Sequence, residues 1–233
     1  MLAGLAPELR CTACGADRSL LLDAREEDER EVRAGTLECV RCATRFAVAD
    51  GVAELMAEAP EPVAREAAGL ERFAEVIARR RLGSPAHPAP ARGAERLQRT
   101  AFEQLWRTVS PERGARLLGV GSNTCWASNL FARRGLSVVA VDIALTEMQG
   151  LRTADWFLDD GCPHFERVLG SMFNLPFAGE SLDTLLAPIG GPGASSASLR
   201  CPPTGSRGRR VVAILAPAVT RPTSSGRGPF VIT

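Results

Sequence analysis

The 233-residue chain contains no lysine and no tyrosine, so each of its 28 fixed cationic side chains is an arginine. An arginine-, alanine- and glycine-rich chain without lysine points to a GC-rich gene and says nothing about fold. Aromatic residues make up only 5% of the chain. Long apolar runs are also missing. The longest, Val211 to Ala216, falls far short of the roughly 20 residues that a membrane-spanning helix needs. The first residues, MLAGLAPELRC, lack a positively charged start and an extended apolar stretch, which argues against secretory targeting. The expectation is a soluble, cytoplasmic protein with no membrane partner.

Acidic residues are absent from one whole region. Residues 1–183 hold all 27 acids and 22 arginines, whereas residues 184–233 hold six arginines and no acid. The net charge of +1 therefore hides an acidic body and a basic end. The chain is long enough for one α/β domain with a small appendage, and its 45% apolar content is ordinary for a globular protein.

Seven cysteines remain to be explained. In a reducing compartment they read as metal ligands or reactive groups before disulfides. Cys11-Thr-Ala-Cys14 and Cys39-Val-Arg-Cys42 are two C-x2-C pairs with 24 residues between them. Each pair places two thiolates on one tight turn, and two such turns close a tetrahedral zinc site. The gap is a little longer than the roughly 15–20 residues usual for such sites. The charge-dense stretch Asp23 to Arg33 suits an exposed hairpin that fills it. A four-cysteine site leaves no open coordination position, so its role is structural.

The run from Gly35 through Cys39, Cys42, Phe46, Asp50 and Gly51 to Leu55 and Met56 resembles the zinc-ribbon family of methyltransferase-activator subunits. It shares their G-x-L-x-C-x-x-C segment, the following aromatic, and the D-G-[IV]-x-x-[LM]-[LM] ending. The resemblance covers about residues 8–56. It implies a structural zinc held by Cys11, Cys14, Cys39 and Cys42, and a ribbon that is commonly a partner or N-terminal adjunct of a methyltransferase. A protein partner through the ribbon is one expectation.

Pro62 to Arg81 carries an apolar stripe at helical spacing (Val63, Ala67, Leu70, Ala74, Ile77), and its proline suits a first helical turn. Residues 83–93, GSPAHPAPARG, read as a linker. Glu95 to Val109 resumes a helical pattern. From Arg116 the chain reads as strand, tight turn at Gly121-Ser122-Asn123, helix from Thr124 to Arg134, strand Val138 to Val141, and then Asp142. That is half of a nucleotide-binding α/β unit. Backbone N–H groups at a helix start meet the ligand, glycine allows a close approach, and a carboxylate captures the ribose diol.

The turn aligns in two registers. Gly119-x-Gly121-x-x-Thr124 keeps two of the three glycines of a dinucleotide fingerprint. The S-adenosylmethionine pattern [DE]-x-G-x-G-x-G places Gly121, Asn123 and Cys125 at the three glycines and Gly119 where the acid is expected. Downstream, Val168 to Asp183 is similar to a methyltransferase passage built around L-P-F and a following F-D. Here the residues are Leu175-Pro176-Phe177 and Leu182-Asp183, and Ser171 stands at the usual aspartate position. Ribbon, glycine turn, Asp142 and this passage occur in that order, so the chain resembles a ribbon-bearing class I (type 11-like) methyltransferase across roughly residues 94–187.

The resemblance implies an α/β fold with a Rossmann-like class I methyltransferase sheet, expected to be incomplete, preceded by the small zinc-ribbon module. It divides the chain into a ribbon at 1–58, a helical linker at 59–110, an S-adenosylmethionine-binding domain at 111–187 and a tail at 188–233. It implies that Gly121, Ser122 and Asn123 border the methionine moiety. Asp142 would hold the ribose with Ile143 beside the adenine, and Ser171 and Met172 would frame the adenine edge. The methyl acceptor, a small molecule, protein or RNA, is not indicated, nor is a catalytic base. Plain structural roles stay open: Asp142 as a cap of the following turn, Met172 as core, Cys125 and Trp126 as packing. A non-catalytic scaffold built on a degraded cofactor fold is the alternative function, and an NAD-dependent oxidoreductase a weaker one.

The tail breaks the pattern. Residues 187–233 hold seven prolines, seven glycines and six arginines, and only 210–216 reads as a strand, the fifth of the sheet. The rest reads as poorly ordered. A frame shift or lost segment near Leu186 accounts for the change; a basic tail that contacts nucleic acid or protein is the alternative. Translation of the gene in its other frames decides between them. A frame that restores alternating strand and helix patterns after Asp183 supports the first account, and its absence rules that account out.

Overall fold

Successive side chains of a strand point to opposite faces, so an apolar run without polar interruption belongs in a sheet covered on both sides. In the computed structural model, which describes residues 1–57, 59–79, 100, 102–104, 106–107, 110–178, 183–188, 210–214 and 231–232, such runs form the centre. The elements in chain order are a 3-10 helix at Ala3–Glu8, β1 (Leu20–Glu27), β2 (Val32–Cys39), β3 (Arg45–Ala49), β4 (Val52–Glu54) and α1 (Glu61–Arg79). There follow β5 (Arg116–Val120), α2 (Trp126–Arg133), β6 (Ser137–Asp142), a 3-10 turn at Leu151–Thr153, α3 (Ala154–Asp159) and β7 (Glu166–Leu169). Strands β8 (Thr184–Pro188), β9 (Arg210–Ile214) and β10 (Val231–Ile232) complete the set.

The parallel strands lie in the order β7-β6-β5-β8-β9. Counted along the parallel set, that is third, second, first, fourth, fifth, the order of a doubly wound nucleotide-binding fold. The central register pairs Leu118 with Val139 and Val120 with Val141. Leu118, Val120, Val139 and Val141 face one core, whereas Leu117, Val138 and Ala140 face the other. The fold is a Rossmann-like α/β sheet, and the strand expected at 210–216 is its fifth member, over 210–214. Among the described residues three strands follow Asp183, the last antiparallel to β9. The linker at 83–93 and most of the tail lie outside the described residues.

The ribbon is not a separate bead. Its last strand, β4, pairs in parallel with β7 through Ala53–Val168 and Glu54–Leu169, and Leu55 N–H donates to Leu169 O at 2.9 Å. Ribbon and parallel strands thus share one ten-stranded sheet among the described residues. They also share a core: Leu5, Leu9, Leu37 and Phe46 cluster with Leu118, Val141 and Phe177.

The stretch Asp23 to Arg33, expected as an exposed hairpin, is a hairpin but not wholly exposed. Glu31 is buried. One of its carboxylate oxygens takes the Met1 ammonium at 2.9 Å. The other takes Arg33 at 2.7 Å and the fully buried Arg167 of β7 at 2.5 Å. Arg167 also pairs with Asp155 of α3. The reason is chain geometry: the β1–β2 turn folds back onto α3, where Arg30 Nη1 meets Asp159 at 3.1 Å, and so brings Glu31 to Arg167, whose guanidinium would be prohibitive in the core unpaired.

Burial alone would raise the Glu31 carboxyl, but the Arg167 and Met1 charges outweigh it and hold the group below its ordinary value. A folded value below the unfolded one means stability that is present above about pH 4.3 and lost as pH falls through the folded value. Glu31→Gln is expected to cost about 3–5 kcal/mol at pH 7, because it leaves the buried Arg167 with Asp155 alone and the Met1 ammonium with no carboxylate. Urea unfolding at pH 7 and in acid should show that loss and a weaker acid dependence than the parent chain.

Candidate functional site

In open α/β sheets the ligand crevice lies beyond the carboxyl ends of the strands, where the strand order reverses. Here the reversal falls between β8 and β5, the strand that leads into the glycine turn. Gly121, Asn123 and Cys125 all have left-handed backbone, with φ of 68°, 44° and 53°. These are the three positions that the S-adenosylmethionine register aligns with glycines. Positive φ is uncommon for residues other than glycine and costs on the order of 1–3 kcal/mol where the side chain is unsuited to it. The dinucleotide register fares differently: Gly119 lies within β5, and neither it nor Thr124 has positive φ.

Local bonds fix the turn. Ser122 N–H donates to Val141 O at 3.0 Å, and Ser122 Oγ donates to Gly119 O at 2.8 Å. Asn123 N–H donates to Asp142 Oδ2 at 2.7 Å, and Ala144 N–H to Asp142 Oδ1 at 3.0 Å. Asp142 is therefore both the cap of its own turn and a clip on the glycine turn 19 residues earlier. Burial pushes its carboxyl above the ordinary value, and the N–H groups of Asn123, Ala144 and Ile143 only partly offset that. Cys125, wholly enclosed, has its thiol pushed far up by burial, so it packs and does not react. Trp126 meets Phe102 edge-on at 6.1 Å.

Gly170 N–H donates to Asp142 O at 2.9 Å, which brings Ser171 and Met172 to the same end of the sheet. Ser171 is buried, and its hydroxyl accepts the Phe173 N–H at 3.2 Å. Met172 packs half-buried against the core. Gly121, Ser122, Asn123, Asp142, Ile143, Ser171 and Met172 thus sit on the loops that leave β5, β6 and β7.

The four cysteines form the second site. The sulfur atoms of Cys11, Cys14, Cys39 and Cys42 all lie within 4.8 Å of one another, with Cys11–Cys42 and Cys14–Cys39 each at 3.7 Å. A tetrahedral ion with sulfur ligands at about 2.3 Å separates its sulfurs by roughly 3.8 Å. The donor set and spacing fit a metal ion. The two knuckles repeat one geometry. Gly15 N–H donates to Cys11 O and Ala43 N–H to Cys39 O, each at 2.8 Å, and both residues are left-handed, with φ of 75° and 56°. Burial acts to raise the Cys39 thiol, but hydrogen bonds from Ser19 Oγ and from the Arg41 and Cys42 N–H groups bring it down to about 6. Such donors favour the thiolate that a metal requires. Cys11 is pushed up to about 12, chiefly by burial.

The site is framed from the ribbon side by contacts between two stretches that the sequence marks separately, one holding Cys11 and the other Leu175-Pro176-Phe177. Residues 8–12 form bonds with residues 174–178, more than 160 positions away.

No family model matches the chain, and no curated protein matches it by sequence. Solved structures do resemble it in part. The YcgJ protein of Bacillus subtilis is 19% identical over 39% of this chain and 38% of that one, with a TM-score of 0.34. A TehB-like SAM-dependent methyltransferase from Corynebacterium glutamicum is 18% identical over 43% and 55%, with a TM-score of 0.29. The cyclase SpnF is 19% identical over 38% and 33%, with a TM-score of 0.34. The chain thus spans about two fifths of the length of the first of these. With scores of this size, the fold assignment rests on strand order and register.

Among the described residues no helix is long and apolar enough to cross a membrane. Ala43→Gly, which removes a methyl from a left-handed position, is expected to stabilise the chain by about 1 kcal/mol. The urea midpoint should rise with unchanged m-value.

Proposed function

We propose that the chain binds S-adenosylmethionine at the carboxyl ends of β5, β6 and β7 and transfers its methyl group to an acceptor. The observation that carries this reading is the left-handed backbone at Gly121, Asn123 and Cys125. A loop that pays strain at two non-glycine positions holds the backbone form of a three-glycine turn although two glycines are gone. Parallel strand order and an acid at the end of the second parallel strand support it further.

In this reading Gly121, Ser122 and Asn123 border the methionine moiety, and Asp142 takes the ribose hydroxyls with oxygens that retain free lone pairs. Ile143 lies beside the adenine, and Ser171 and Met172 frame its edge. The donor supplies an electrophilic methyl on its sulfonium. This chain's residues position the donor and exclude water, which is where most of the barrier reduction in such displacements arises. Cys11, Cys14, Cys39 and Cys42 hold a structural zinc.

Two observations favour a non-catalytic scaffold instead. Both Asp142 oxygens already accept backbone N–H groups, and glycine stands at 119, where the pattern has an acid. Calorimetric titration with S-adenosylhomocysteine and with NAD separates the readings. Micromolar binding of the former alone is expected; binding of neither leaves the scaffold. Asp142→Asn keeps one acceptor for the two backbone N–H groups of Asn123 and Ala144 and loses the other together with the charge, and should weaken nucleoside binding at least tenfold. Unchanged affinity would remove Asp142 from the site. Metal analysis should give one zinc per chain in the parent and none in Cys39→Ser.

A further inference from the structure

The first cysteine knuckle and the adenine-side segment of the proposed donor site are stitched together. Ala178 N–H donates to Glu8 O at 2.9 Å, and Arg10 N–H donates to Pro176 O at 3.0 Å. Leu9 and Phe177, opposite each other in this short antiparallel bridge, are both buried. The Asn174 side-chain amide donates to Thr12 O at 2.9 Å. The Thr12 hydroxyl in turn donates to Leu55 O at 2.7 Å, and Leu55 is bonded to the end of β7.

Cys11 lies between Arg10 and Thr12, so the residues on both sides of one candidate metal ligand hold the segment that follows Ser171 and Met172. Without a metal, the base of the knuckle is held by the Cys11 N–H to Ala16 O, Gly15 N–H to Cys11 O and Arg18 N–H to Leu9 O bonds, by Arg10 Nε to Gly15 O at 3.1 Å and by Ser19 Oγ to Ala16 O at 2.8 Å. Cys14, at the tip, is exposed and faces Cys39 Sγ at 3.7 Å.

We infer that metal at the four-cysteine site governs binding of the nucleoside end of the ligand, through the clasp between residues 8–12 and 174–178. The metal orders the knuckle, the knuckle orders the clasp, and the clasp holds Ser171 and Met172 at the adenine edge. This rests on the methyl-donor reading for the identity of the ligand, but not for the existence of the clasp. A ribbon built into the sheet in this way makes ligand binding sensitive to zinc supply.

The test is amide hydrogen exchange of the full chain, zinc-loaded and after zinc removal by a chelator, alongside S-adenosylhomocysteine titration of both forms. Exchange over residues 171–178 is expected to quicken at least tenfold without zinc while β5 and β6 stay protected, and affinity is expected to fall at least tenfold. Unchanged exchange at 171–178, or a uniform rise across the whole sheet, overturns the inference. In zinc-loaded Asn174→Ala, exchange at 174–178 should quicken with zinc content still at one per chain; parent-like exchange there counts against the clasp. If exchange responds as expected but the nucleoside binds neither form, the clasp stands and the methyl-donor reading fails.

Discussion

A guanidinium sits in the core, and the rest of the molecule must answer it. Arg167 of β7 is fully buried. A buried charge that loses its partner costs several kcal/mol, so its two carboxylates are obligatory. One, Asp155, comes from the α/β unit. The other, Glu31, comes from the ribbon and also holds the Met1 ammonium. The ribbon therefore completes the charge balance of the third parallel strand, while β4 covers the edge that this strand would otherwise expose. Ribbon and sheet read as two modules in sequence and as one body in energetics.

The site depends on a smaller version of the same device. Asp142 is a buried carboxylate whose oxygens grip backbone on two sides. That grip holds Asn123 in a conformation its side chain tolerates only moderately. Burial raises the carboxyl above its ordinary value, and the N–H donors only partly offset that. In the proposed reading a ribose diol meets the remaining lone pairs, so that one residue serves both the fold and the ligand.

Much of this was legible in the chain. Continuous apolar runs marked β5 and β6, because strands covered on both faces leave few polar interruptions. Cysteine spacing marked the knuckles, because two thiolates on a tight turn need that spacing. The fifth strand was visible in RVVAILA despite its surroundings. The alignment that put Asn123 and Cys125 at glycine positions fell on residues with left-handed backbone. What stayed hidden is long-range and unpatterned. Glu31 lies 136 residues from Arg167 in a mixed-charge run that reads as solvated surface. The clasp is made mainly of backbone atoms, which carry no sequence signature, and β10 is two residues long.

The central claim is a ligand site at the carboxyl ends of β5, β6 and β7. The most direct measurement is an amide NMR spectrum of the isotope-labelled, zinc-loaded chain as S-adenosylhomocysteine is added. The account predicts shift changes concentrated at Gly121 to Asn123, at Asp142 and Ile143, and at Ser171 and Met172, saturating at micromolar ligand. Saturable changes confined to other surfaces, or a spectrum unmoved at millimolar ligand, would contradict it.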